Sequence, residues 1–229
     1  MTIGQSVAHT QLRAPVRAVS RQLARRERIV RIAMEQFAAH GYEDTRAEAI
    51  AVGAGVSKGA LFAYFGSKAG LFLAAYKSAA SSFSKYLEAP ASTLHGGFFA
   101  VLTHWLEHTP DLIRENWVPY RVTLLGNYCS DLQLRRSITQ FLRAEDPYGT
   151  RAFVQFGIDR GEVRTDVDTT MIVSLIDWLM DRCQDAIVTE ELDPGLFGHN
   201  APSAELRDMR LGQFVELLRG AVGVTGRSN

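Results

Sequence analysis

Residues 29–76 read IVRIAMEQFAAHGYEDTRAEAIAVGAGVSKGALFAYFGSKAGLFLAAY, and the fold turns on how this stretch is parsed. Apolar side chains at Val30, Ala33, Met34 and Phe37 follow the i, i+3, i+4, i+7 spacing of an amphipathic helix. Gly41 ends that helix, because a glycine just past the last periodic residue accepts the left-handed cap conformation. Thr45 and Glu48 have the spacing of a capping box, which predicts a second helix from about Arg46 to Val52. Gly53-Ala54-Gly55 breaks it, and Ser57 caps a third helix through about Tyr64. Gly66-Ser67 closes the third helix and caps a fourth. Helices separated by turns this short are a helix-turn-helix signature.

The side chains suit that geometry. Ala51 falls where the second and third helices cross, and Gly55 sits in the turn where positive φ is needed. Val56, Leu61 and Phe65 are expected to point inward against Phe37 and Ile50. Lys58, Gly59, Ala60, Phe62 and Tyr64 are left for the outside or the flanks. A helix start built from Ser, Lys, Gly and Ala is poor packing material. It suits a major groove, where small residues permit close approach and polar ones meet base edges or phosphates.

These residues carry a family resemblance. Phe37, Gly41-Tyr42, Thr45, Ile50-Ala51, Ala54-Gly55-Val56-Ser57-Lys58-Gly59, Leu61, Tyr64-Phe65 and Ser67-Lys68 together resemble the DNA-binding domain of the TetR/AcrR family of bacterial regulators. The resemblance implies a homeodomain-like three-helix head that contacts DNA through Arg46, Ser57, Lys58, Gly59, Ala60, Phe62, Tyr64 and Lys68. Two positions depart from the family's habit, Ala60 and Phe62 standing where Thr and Tyr are common. Phe62 is therefore expected to contribute packing, while Ala60 can still touch a thymine methyl.

Composition agrees with a nucleic-acid partner only through its distribution. The chain has 229 residues, 46% hydrophobic and 22% charged, and a net charge of zero. Residues 1–88 carry 12 Lys and Arg against 6 Asp and Glu, and residues 89–229 carry 13 against 19. A basic front and an acidic remainder is the footprint of one domain facing DNA and another that does not. Cys129 and Cys183 lack metal or redox spacing and read as small core residues. No run of 18 apolar residues occurs. Residues 1–24 have no acid and carry Arg13, Arg17 and Arg21, which reads as a basic flexible arm. Residues 25–72 follow as the DNA-binding domain and residues 73–229 as a helical effector-binding and dimerisation domain.

Beyond Lys68 the pattern is helical throughout, making the chain all-α. Helices are expected from Lys68 to Leu87, from Thr93 to His108 with a stop at Pro110, and over shorter pieces from Asp111 to Trp117 and Pro119 to Tyr128. Leu132 to Asp159 follows with a break near Asp146-Pro147. Gly161 to Asp168 resembles a linker of the family's effector domains. Thr169 to Ile187 carries Asp177, Asp181 and Asp185 as one polar stripe at i+4 spacing, and Ala204 to Val222 has two apolar rows. The rows are Leu206, Met209 and Leu217 with Phe214, and Leu211, Val215, Leu218 and Val222. One row for the chain's own core and one for a partner gives a homodimer, as the resemblance implies, and a central buried helix gives the same pattern. Ile172, Ile176, Leu211, Phe214, Val215 and Leu218 are the candidates for the dimer interface. Trp105, Trp117, Tyr120, Leu124 and Tyr128 are candidates to line the effector pocket that the resemblance implies.

His104-Trp105-Leu106-Glu107-His108 also matches H-x-x-E-H, the inverted zinc-protease motif. It stands just before Pro110, where histidines suit a helix C-terminus, and no metal or cofactor is expected. The reading is a cytoplasmic, ligand-responsive DNA-binding regulator, a repressor released from a palindromic operator by a small apolar effector. A DNA-bound adaptor without a transcriptional role, and a helical metal-dependent enzyme using His104 and His108, are the alternatives.

Overall fold

A computed structural model of the protein describes residues 8–83, 89–189, 195–197 and 203–224, with side chains from Val19 onward. Among the described residues it is built from eleven α-helices and one isolated bridge, between Val163 and Gly223. The chain divides into two compact units. The first holds residues up to Ala80 together with Val118–Phe141, and the second holds Ser81–Trp117 and the residues from Leu142 onward.

The first unit begins with α1 (Ala8–Asp44), whose regular course is interrupted at Gly41 (φ 77°, ψ 173°). Residues 1–7 of the arm lie outside the described residues. The backbone from Ala8 is already helical rather than irregular, since Ala, Leu, Arg and Gln dominate residues 8–28 and outweigh Pro15. Next come α2 (Ala47–Gly53), α3 (Lys58–Phe65) and α4 (Lys68–Phe83). Phe37, Ile50, Leu61, Leu71 and Phe72 are fully buried in this unit. The rings of Phe37 and Phe72 meet edge to face at 4.9 Å, and Tyr42 meets Phe72 at 5.0 Å.

The helices α7 (Trp117–Asn127) and α8 (Leu132–Glu145) supply the rest of the unit. Tyr76 of α4 is buried whole, and its hydroxyl donates to Asn127 Oδ1 at 2.7 Å. Gly126 makes room for that ring, because a Cβ there would collide with it.

The capping box does not form. Arg46 occupies the cap of α2 without a side-chain bond. The Thr45 hydroxyl points back instead, donating to the carbonyls of Gly41 at 2.6 Å and Gln36 at 3.1 Å. Burial decides between the two arrangements. Thr45 is enclosed, and the carbonyls freed at the Gly41 break need a donor more than the exposed start of α2 does.

The second unit is centred on α6 (Phe98–Glu115), with α9 (Thr150–Asp159), α10 (Thr169–Val188) and α11 (Ala204–Val222) against it. Phe98, Leu102, Leu106, Val154, Ile172 and Leu218 form the centre of its core, and Phe98 stacks on Phe153 at 4.2 Å. The expected stop at Pro110 is absent, for α6 runs through it to Glu115. Proline removes one backbone donor. The buried face of Leu102, Leu106, Thr109 and Ile113 nevertheless continues on both sides, and the Thr109 hydroxyl donates to the Trp105 carbonyl at 2.8 Å.

The break lies earlier, at Gly97 (φ 89°), which separates α6 from the short α5 (Ala91–His95). Glu162 caps α6 there, its Oε2 accepting from the Phe98 amide at 2.7 Å. A Cβ on residue 97 would strike that carboxylate. The linker-like segment thus holds two helix ends, because Arg164 N also donates to the Val222 carbonyl at 2.8 Å at the end of α11. The break near Asp146, the Asp168 cap of α10 and the span of α11 lie where the sequence puts them. The aspartate stripe of α10 runs from exposed Asp177 through half-buried Asp181 to the interior. Asp185 is fully buried and accepts a bond from the Thr189 hydroxyl.

Candidate nucleic-acid interface

The turn between α2 and α3 is fixed by backbone bonds. Gly55 N donates to the Val52 carbonyl at 3.0 Å and Val56 N to the Ala51 carbonyl at 2.9 Å, with Gly55 at φ 62°. Ala51 and Ala54 are buried, so small side chains set the close approach of the two helices. Ser57 then caps α3, its Oγ accepting from the Ala60 amide at 3.1 Å. Leu61, alone in α3, is fully enclosed and anchors the helix to the unit.

That leaves a defined outward face. Ser57, Lys58 and Gly59 are exposed, Ala60, Phe62 and Tyr64 are half-buried, and Arg46 is exposed at the start of α2. Val56 and Phe65, expected inside, are only half-buried. Phe65 instead carries the Arg26 guanidinium of α1, 5.4 Å from its ring centre. Lys58 pairs with Glu48 of α2 and lies 5.9 Å from the Phe62 ring centre. The hydrogen bond from Lys58, then one from its own backbone amide and the lysine charge, holds the Glu48 carboxyl below its usual range. Lys68 donates to the Glu43 carbonyl at 2.8 Å and lies over the Tyr42 ring at 5.0 Å, tying α4 to the end of α1. Sequence reasoning missed the parts played by Arg26, Tyr42 and Glu48. Nothing in local spacing reveals partners ten or more residues away.

The other candidates scatter. Trp105 is half-buried against Phe153, with rings 4.4 Å apart, in the second unit's core. Trp117, 46% exposed, borders an open groove of about 720 Å³ in that unit, lined by Leu106, Ile113, Ile187 and Phe197 and by the charged Glu107, Asp111, Arg114, Arg207 and Asp208. Tyr120 and Leu124 are buried in the first unit, and Tyr128 is exposed there. Ile172, Ile176, Val215 and Leu218 are buried in the second unit's own core and have no surface for a partner; Leu211 and Phe214 are half-buried. The exposed apolar residues of the same two helices are Met171 and Trp178 of α10 and Met209 and Leu217 of α11. The rings of His104 and His108 lie 4.0 Å apart, with His108 Nδ1 at 2.8 Å from the His104 carbonyl. Among the described residues no group of three His, Cys, Asp or Glu side chains is arranged to hold a metal ion.

The fold and the face of α3 define a helix-turn-helix DNA-binding protein. Residues 29–75 match the model of the tetR family of bacterial regulatory proteins. The chain is 26% identical over 171 residues to the HTH-type transcriptional repressor AcnR of Corynebacterium glutamicum, covering 75% of this chain and 86% of that one. Its fold is similar to that of FadR from Bacillus subtilis, solved with stearoyl-CoA (TM-score 0.59, 22% identity, 84% of this chain and 96% of that one). It is also similar to the fatty acid degradation regulator FadR of Bacillus halodurans (TM-score 0.58, 17% identity, 85% and 97%). Residues 29–75 carry the tetR-family DNA-binding region, and the matches together support a DNA-binding transcription regulator of that kind.

Proposed function

We propose that this regulator is a dimeric, ligand-responsive repressor acting in the cytoplasm, with residues 25–72 reading DNA and residues 73–229 binding effector and partner. The observation that carries the reading is the start of α3, where a capped, anchored helix presents Ser57, Lys58 and Gly59 to solvent. Two such heads would place α3 in successive major grooves of a near-palindromic operator, roughly 34–36 Å apart or a multiple of that. Arg46, Ala60, Phe62, Tyr64 and Lys68 flank the groove, and the exposed Arg21, Arg25 and Arg28 of α1 add phosphate contacts.

The dimer face is Met171 and Trp178 with Met209 and Leu217, since these four are exposed and large. The effector is a small, largely apolar molecule, and the groove beside Trp117, where Leu106, Ile113, Ile187 and Phe197 lie among charged side chains, is the candidate site. Because α4 carries the chain from Lys68 of the head into the second unit, effector binding would act on the head through it. A coupling of about 1–3 kcal/mol would lower operator affinity about 5–150-fold.

A gel shift against the intergenic DNA upstream of the gene tests the core of this reading. Specific binding by the wild type, lost in a Lys58→Ala, Tyr64→Ala double variant, is the expected result. A genome-wide selection yielding no bound sequence would overturn it.

A further inference from the structure

Lys58 is the only charged residue of α3, and in the free protein its charge is already spoken for. It stands at the first helical position, where the positive end of the helix dipole disfavours a cation. Glu48, one helix earlier, offsets this by pairing with it. Glu48 stands in the first turn of α2, whose cap is Arg46 without a side-chain bond, and its carboxylate also accepts from its own backbone amide. Both side chains are more than half exposed, 53% for Lys58 and 59% for Glu48.

We propose that Glu48 is a brake on operator affinity, because Lys58 must leave it to reach a phosphate or a base edge. The inference rests on the reading of α3 as the DNA-facing helix. Exposed pairs are weak and screened by salt, so the exchange is accessible and its cost modest. Glu48 acts through Lys58 and is therefore a positioning residue. Its removal should raise affinity, whereas loss of a scaffolding residue would lower it.

The test uses the full-length protein and a duplex that the wild type selects from a randomised pool. Binding is followed by fluorescence anisotropy at low salt for Glu48→Gln, Lys58→Gln and the double variant. Glu48→Gln is expected to tighten binding roughly two- to fivefold, the span an exposed pair can withhold. Lys58→Gln should weaken it, and in that background Glu48→Gln should change nothing. Thermal unfolding of Glu48→Gln should coincide with that of the wild type. A gain that persists in the Lys58→Gln background would show a carboxylate merely repelling DNA, and the brake would be wrong. Lower affinity together with lower thermal stability in Glu48→Gln would make the pair a scaffold, which also overturns it. If Lys58→Gln leaves affinity unchanged, the failure lies with the DNA-facing assignment of Lys58, and the brake falls with it.

Discussion

The helix α3 and the pair α10 and α11 are all rich in apolar residues, yet one yields its outward face to a reader of sequence and the others conceal theirs. In α3 the orientation is set within a dozen residues. Gly55 must turn, Ser57 must cap, and Leu61 one turn later must be inside. Each of these constraints is local and follows from backbone chemistry. The helices α10 and α11 are 20 and 19 residues long and carry apolar side chains in more than one row. Periodicity counts rows but does not say which one has a partner in the same chain. The row with Leu211, Val215 and Leu218 went inward, and Met209 and Leu217 stayed out. Side-chain shape agrees with the outcome, since β-branched Ile172, Ile176 and Val215 sit inside while unbranched Met171 and Met209 sit outside.

The largest effects should come from reversing those rows. Ile176→Ala in the buried row should cost about 2–5 kcal/mol of stability, measured by denaturant unfolding. If it instead left the fold intact and only separated dimers, Ile176 would belong to the interface after all. Next in size is the outward row. Trp178 and Leu217 are 61% and 74% exposed, so Trp178→Glu with Leu217→Arg should leave the helical content unchanged. Sedimentation velocity should then show the dimer weakened by about 2–4 kcal/mol, the usual yield of aromatic and apolar anchors. A dimer of undiminished affinity would move the interface elsewhere.

A smaller effect separates the head's expected capping box from what replaced it. Thr45→Val keeps the shape and removes the hydroxyl that serves the Gly41 and Gln36 carbonyls, at a cost of about 1–3 kcal/mol in thermal unfolding. Glu48→Ala, at the exposed start of α2, should shift thermal unfolding far less. A true capping box would make the two losses comparable.

Most of the fold was legible because turn chemistry marks helix ends, as at Gly41, Gly55, Ser57 and Asp168. The failures share a cause. Pro110 was read as a stop from its own backbone, but burial on both sides of it keeps α6 whole. Thr45 and Glu48 were read as partners from their spacing, and each found a better one in another helix. The outward start of α3 was readable for the opposite reason, since its residue types have nothing to bury. Trp105, Tyr120 and Leu124 could not be sorted into core or cavity, because both use large apolar side chains.

A last effect, absent at neutral pH, probes the inward side of α10 from a different direction. Cys183 lies on that face, and burial pushes its thiol up to about 12 from an ordinary 9.0. The folded state therefore holds the neutral thiol, and the unfolded chain ionises first. Stability carried by this group is complete below about pH 9 and is lost as pH rises toward 12. Cys183→Ala removes that slope, so the difference between variant and wild type isolates it from other groups that titrate there. Alkylation gives a second measure: at pH 8 Cys183 should react only as fast as the second unit opens. Cys129, also raised by burial but less enclosed, should react sooner. Rapid labelling of Cys183 in the folded protein would mean that α10 turns this face to solvent, and the assignment of inward and outward rows would have to be exchanged.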